Sequence, residues 1–232
     1  MTDRSVQIGS CDLGTKPHIV VSIDREMSSD VLSSLSGRGA SLIEMRVDCF
    51  HETVEKTVRC IERVRELSGL PLIGTIRENR RTESVRLDLF RNIIPVVDAI
   101  DIEIDTEINS EVIALAQSTT VIVSEHDFEK TPDGHSLHNV VNTAMAQGAD
   151  IVKIATMAQS RQDVSRLLRF TQDVQAPVVT MAMGELGAIS RVTAPLFGSL
   201  FTYSFVADSV APGQIPLDEL AAYMARFYPE VR

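Results

Sequence analysis

A lysine stands at the centre of ADIVKIATM (149–157), a stretch that otherwise has the apolar character of a buried strand. An ammonium taken out of water either finds a partner or gives up its charge. The first outcome is an ion pair; the second is a neutral amine able to attack a carbonyl. His126, in SEHDF (124–128), is a candidate general acid/base near neutral pH. Each has a plainer reading, Lys153 as half of a structural ion pair and His126 as a hydrogen-bonded core histidine. His135 and His138, in HSLH, have the i, i+3 spacing of metal ligands. They follow the turn-forming TPDG, so a solvated helix start is the stronger reading and no metal site is expected. MGELG (183–187) is a glycine-bearing turn after a strand, open to an anion cradle or to plain backbone geometry.

The elements that must position these groups alternate regularly. Eight short apolar runs read as strands: 18–24, 41–48, 71–77, 99–105, 120–128, 149–157, 176–184 and 200–208. Between them lie segments of helical period at 52–67, 84–98, 136–148 and 160–174, and 216–228 closes the series. Eight βα units at this length predict a single-domain α/β protein, a closed (β/α)8 TIM barrel spanning 1–232, with 1–17 as an N-terminal extension. A doubly wound open sheet is the alternative, but no G-x-G-x-x-G turn follows the first strand. Strand parity gives each run two faces. In SLIEMRVD, Ile43, Met45 and Val47 oppose Glu44, Arg46 and Asp48; in AIDIEID, Ile100, Ile102 and Ile104 oppose Asp101, Glu103 and Asp105. The apolar face must meet the helices, so carboxylates, Arg46, Arg77, His126 and Lys153 are expected to point into the lumen. Buried charge is costly unless paired, so such a lumen is hard to explain by stability alone.

Composition excludes several partners. The chain has 232 residues, 44% hydrophobic, with a formal charge of −10. That balance disfavours nucleic acid and anionic lipid, which are bound through excess Lys and Arg. No apolar run of about 18 residues suits a membrane span, and the N-terminal stretch lacks the apolar core of a signal peptide. Cys11, Cys49 and Cys60 are odd in number and lie at no metal-ligand spacing, which fits reduced thiols and a cytoplasmic location.

Seven stretches, EMRVD, GTIR, SEHDF, IVKIA, MGELGAISR, FGS and APGQI, resemble in order and spacing the type I 3-dehydroquinate dehydratases, over nearly the whole chain from Ile19 to Leu220. The resemblance implies a (β/α)8 barrel, commonly a homodimer, that needs no metal or organic cofactor. It implies dehydration of 3-dehydroquinate to 3-dehydroshikimate in the shikimate pathway. Lys153 matches the family's Schiff-base lysine and His126 its general acid/base. Glu44, Met45, Arg46, Arg77, Arg191 and Gln214 match substrate-binding positions, and Ser22 on the first strand joins them. On that reading Arg191 takes the substrate carboxylate, Glu44 and Arg46 hold ring hydroxyls, and Gln214 closes over the ring.

The chain departs from the family pattern twice. Where the family carries Glu-Gly-Gly after the third-strand arginine, this chain reads Arg81, Thr82, Glu83, leaving Glu78 or Glu83 to stand in for the missing acid. Where the family often has Ser directly before APGQ, this chain has Val210, with Ser209 one residue earlier. Two other functions remain open at this level. A class I aldolase would share the lysine but require a phosphate cradle after strands seven and eight, for which only MGELG offers itself. A non-enzymatic barrel could use the same arginines to bind a carboxylate ligand.

Overall fold

A computed structural model describes residues 6–50, 52–209 and 211–229. Two short strands, β1 (Val6–Ile8) and β2 (Cys11–Leu13), form an antiparallel hairpin. The barrel strands follow as β3 (Ile19–Ile23), β4 (Leu42–Arg46), β5 (Leu72–Thr75), β6 (Ala99–Glu103), β7 (Thr120–Asp127), β8 (Ile151–Met157), β9 (Val178–Met183) and β10 (Thr202–Phe205). A two-residue strand, β11 (Ile215–Pro216), adds to β10. All nine of the latter pair in parallel, in the order β11-β10-β3-β4-β5-β6-β7-β8-β9. The two ends of the curled ladder meet where Leu200 N donates to Val178 O, 2.9 Å away. The fold is the expected single-domain (β/α)8 barrel.

Among the described residues eight α-helices cover the outside: α1 (Ser29–Ser34), α2 (Val54–Ser68), α3 (Arg86–Ile93), α4 (Asn109–Leu115), α5 (Gly134–Gln147), α6 (Arg161–Asp173), α7 (Ser190–Thr193) and α8 (Leu217–Phe227). The longer ones start and stop where their sequence dictates. Thr53 and Asp133 cap α2 and α5 by accepting from Lys56 N and Ser136 N, and Ser160 with Asp163 forms a reciprocal capping box on α6. Gly69 and Gly148 end α2 and α5 in the left-handed conformation. The short helices α1, α4 and α7 have too few turns to leave an apolar period, which is why the sequence does not reveal them.

Strand parity sorts the core into two bodies. Outward-facing Ile43, Met45, Ile100, Ile102, Val152 and Ile154 pack against the helices. Inward-facing residues change character along each strand. At the N-terminal end they are apolar: Val20, Leu42, Ile73, Ala99, Ile122, Ile151, Val179 and Phe201 fill the lower lumen. Two residues further on, the same parity carries Ser22, Glu44, Thr75, Asp101, Ser124 and Lys153, all buried. The polar layer therefore rests on an apolar floor, at the C-terminal end where βα loops build sites.

The hairpin seals that floor. Ile8 and Leu13, each 0% exposed, join the lower lumen cluster. Thr120 Oγ1 donates to Gln7 O at 2.8 Å, while Cys11 Sγ meets His18 Nδ1 at 3.3 Å. Gly9 is required at the turn: its φ is +55°, and a Cβ there would stand 2.9 Å from Asp98 and Pro71 atoms. Leu13→Ala is expected to lower stability by about 2–5 kcal/mol, the range for emptying a fully buried leucine site. Urea unfolding reads this out, and a loss below about 1 kcal/mol would mean that the hairpin does not plug the barrel.

Candidate active site

Lys153 Nζ donates to Asp101 Oδ2 at 2.8 Å and lies 3.5 Å from Glu44 Oε1. It also sits over the ring of Tyr203, 4.3 Å from the centroid. Asp101 is 0% exposed, and its other oxygen accepts from Ser124 Oγ at 2.6 Å and pairs with Arg77 Nη1 at 2.8 Å. Burial alone would raise the Asp101 carboxyl, but Arg77, and then Lys153, hold it well below the usual carboxylate range. Asp101 therefore stays ionised and ties β6 to β7 and β8. Glu44 is fixed in the same way on the far side, accepting from Ser22 Oγ at 2.7 Å and Thr75 Oγ1 at 2.9 Å.

Lys153, Glu44, Ser22, Arg77, Ser124 and Tyr203 line a cavity of about 430 Å³ that opens at the C-terminal end of the barrel, with Asp101 and Thr75 buried behind them. His126 lies in its wall, two residues beyond Ser124 on β7, with Phe128 stacked alongside. Burial, then the charges of Arg77 and Lys153, pushes the imidazole well below its ordinary value despite the opposing pull of Asp101. His126 is thus a neutral base at pH 7. Arg46 forks onto Asp48 with bonds of 3.0 and 2.8 Å.

Arg191 presents the opposite situation, a guanidinium that is 1% exposed and paired with no carboxylate among the described residues. It donates to the carbonyls of Gly213 at 2.9 Å and Pro212 at 3.2 Å, and touches Met181 Sδ at 3.7 Å. Burial lowers its pKa to about 10, so it remains cationic at neutral pH. A buried cation facing a cavity without a counter-charge is suited to an incoming anion, and its planar fork to a carboxylate. The same bonds hold the loop that carries Gln214, whose Oε1 accepts from Ala211 N at 3.3 Å.

A family model described as type I 3-dehydroquinase matches residues 19–228. The chain belongs to the type I 3-dehydroquinase family. The 3-dehydroquinate dehydratase of Methanococcoides burtonii is 36% identical over 230 residues, covering 94% of this chain and 98% of that one. The crystal structure of 3-dehydroquinate dehydratase from Geobacillus kaustophilus aligns with a TM-score of 0.88 at 30% identity, over 100% of this chain and 99% of that one. The type I 3-dehydroquinate dehydratase of Clostridium difficile, solved with covalently modified comenic acid, aligns equally well, with a TM-score of 0.88 at 30% identity, over 98% of this chain and 99% of that one.

Of the residues singled out in the sequence, the structure of this dehydroquinase-family chain brings eight to one cavity: Ser22, Glu44, Arg46, Arg77, His126, Lys153, Arg191 and Gln214. Met45 is placed elsewhere. Its side chain faces outward into the helix-packed core, as β4 parity requires with Glu44 and Arg46 turned inward. Glu78 reaches the cavity and accepts from Arg86 and Thr106 at 3.2 Å each, whereas Glu83 is exposed away from it. Buried Arg86 also donates to Ile76 O and Glu103, strapping the loops after β5 and β6 together. Thr82 is structural: its hydroxyl donates to Arg77 O at 2.8 Å. Val210 lies outside the described residues, and Ser209 Oγ donates to Ala211 O at 2.7 Å. His138 is engaged at the start of α5 with Gly134 O and the edge of Phe170.

Tyr203, Met181 and Met183 were not singled out, and Asp101 was read only as one of several inward carboxylates, although each shares the inward parity that identifies Lys153. MGELG is the seat of the loop that carries Gln214. Gly184 has φ +82°, and a Cβ on Gly213, itself at φ +74°, would stand 2.5 Å from Gly184 O. Gly213→Ala is therefore expected to lift the loop off this seat and displace Arg191, with kcat/KM falling about 10²-fold, the scale of an ångström-level misplacement. Steady-state kinetics unchanged by this substitution would show that the loop closes without that contact.

Proposed function

We propose that this protein is a 3-dehydroquinate dehydratase acting through an iminium at Lys153. The observation that carries the reading is a buried amine held at 2.8 Å by an ionised Asp101, with a neutral histidine on the adjacent strand. A Schiff-base mechanism is characteristic of the type I family, and the Clostridium difficile relative, which holds a covalently modified ligand, is consistent with it.

The Lys153 ammonium gives one proton to the ketone oxygen, and the amine so freed attacks C3; a C–N bond forms, and the oxygen takes a second proton from nitrogen and leaves as water, so that the iminium keeps one N–H. The resulting iminium draws electrons from the adjacent C2–H bond, so that its proton becomes removable near pH 7. His126 takes that proton, giving an enamine. The enamine electrons then expel the C1 hydroxyl, to which His126 returns the proton, so one base serves both halves of the elimination. Water hydrolyses the iminium, freeing 3-dehydroshikimate and Lys153. Arg191 binds the ring carboxylate, Glu44, Arg46 and Arg77 hold hydroxyls and charge around the ring, and Gln214 covers it. Ser22 acts by fixing Glu44. The Met45 side chain has no contact with the ring in this scheme. No group beyond these side chains is required.

We also read the protein as a cytoplasmic homodimer. Ile189, Leu196 and Phe227, all more than half exposed, lie around α7 and α8 and offer an apolar surface that suits a second copy. No helix among the described residues is long and apolar enough to cross a membrane.

Turnover of 3-dehydroquinate, followed by ultraviolet absorbance of the conjugated product, tests the reaction. Lys153→Met is expected to abolish it, and His126→Ala to slow it by about 10²–10⁴-fold, the usual scale of acid/base assistance. Wild-type protein that leaves 3-dehydroquinate unchanged overturns the assignment. The lowered pKa of His126 sets the pH profile, because its basic form persists above that lowered value. Activity should hold level as pH falls from 8 through 6.5 and decline only below it. An acid limb centred at or above 6.5 would remove His126 as the base.

A further inference from the structure

The Schiff-base chemistry leaves a hydrogen-bonding deficit behind it. Lys153 as an ammonium has three N–H donors, and in the structure they face Asp101 at 2.8 Å and Glu44 at 3.5 Å. A protonated iminium has one. Once the C–N bond forms, Nζ can serve only one of the two buried carboxylates, and Glu44, at the longer distance, is the one released. Glu44 keeps Ser22 and Thr75 as donors but loses the ammonium N–H that faced it across 3.5 Å. An ionised oxygen left short of a donor in a buried site is expensive.

A donor stands in reserve in the same cavity. Tyr203 is 3% exposed, and its hydroxyl has no hydrogen-bond partner among the described residues. Its ring already lies under Lys153 Nζ. Burial, then the nearby charges of Glu44 and Asp101, raises its pKa well above the ordinary value, so the hydroxyl stays protonated and able to donate. The two other orphaned polar atoms, Gln147 Oε1 and Thr202 Oγ1, do not line the cavity.

We propose that Tyr203 is a positioning residue for the covalent intermediate. Its hydroxyl turns to Glu44 when Lys153 becomes an iminium, replacing the N–H that alkylation removes, while the ring face keeps contact with the cationic nitrogen. Glu44 then holds its place against the substrate ring through every covalent state. This assignment rests on the Schiff-base reading of Lys153.

The donor count supplies a test that a purely space-filling tyrosine would not pass. Lys153→Met removes the ammonium's donors permanently, so there the hydroxyl should already be engaged. Thermal unfolding is therefore expected to show no loss of Tm for Tyr203→Phe in the wild-type background and a clear loss in the Lys153→Met background. Equal shifts in the two backgrounds overturn the proposal. Should Lys153→Met fail to fold, borohydride trapping at equilibrium with 3-dehydroshikimate gives the second reading. Tyr203→Phe should form the adduct with an equilibrium constant at least about 10-fold lower, the worth of a hydrogen bond to a charged group. An undiminished adduct overturns this proposal alone, whereas no adduct in the wild-type chain overturns the Schiff-base reading as well.

Discussion

The buried pair between Lys153 and Asp101 is the interaction on which the rest of the barrel's upper half depends. Neither charge is tolerable alone in the lumen, because removing one partner of a buried pair typically costs about 3–5 kcal/mol. Once together they impose further requirements. Asp101 has a second oxygen, which Arg77 and Ser124 satisfy. Arg77 brings a surplus positive charge toward Glu103, which Arg86 also engages. Lys153 also lies 3.5 Å from Glu44, an ion-pair distance, while Ser22 and Thr75 donate to that carboxylate. One pair thus recruits side chains from strands all round the barrel.

Two features set this network apart from a stabilising ion cluster. One is its placement: a lumen packed with branched apolar residues would be the simpler way to fill a barrel, and the lower half of this lumen is filled that way. The other is its asymmetry. Positive charge is matched around Asp101, yet among the described residues Arg191 is left with carbonyl oxygens for company, and His126 is left neutral by burial and then by the cations beside it. A structure selected for stability alone would pair Arg191 with a carboxylate. The missing negative charge and the waiting base are explained together by an anionic ketone that arrives with its own carboxylate.

Much of this was legible in the sequence because a β-strand has a period of two. Parity alone turns Glu44, Arg46, Asp101, His126 and Lys153 inward, and no other assignment of SLIEMRVD or AIDIEID keeps the isoleucines under the helices. The ordered motifs then attached Arg191 and Gln214, which lie outside the strands where parity has no force. What the sequence concealed had physical causes. The β1–β2 hairpin is three residues a side and shows no period, so it read as an extension. Met45 sits within a matched motif, but a motif match carries no side-chain direction, and parity sends it outward. The seat of Gly213 on Gly184 joins residues from two separate loops, a contact no local pattern encodes. Asp101 was visible as an inward carboxylate, but nothing local distinguished it from Glu103 or Asp105 until distances showed which one meets the lysine.

In the Schiff-base mechanism the amine at Lys153, and no other, becomes covalently joined to the substrate. Borohydride added during turnover, followed by peptide mapping, tests it directly, since the chain's other lysines, Lys16, Lys56 and Lys130, provide internal controls in the same sample. A reduced adduct of ligand mass is expected on the peptide containing Lys153, with the other three unmodified. Turnover that proceeds with Lys153 unlabelled, or a label spread over all four lysines, would contradict it.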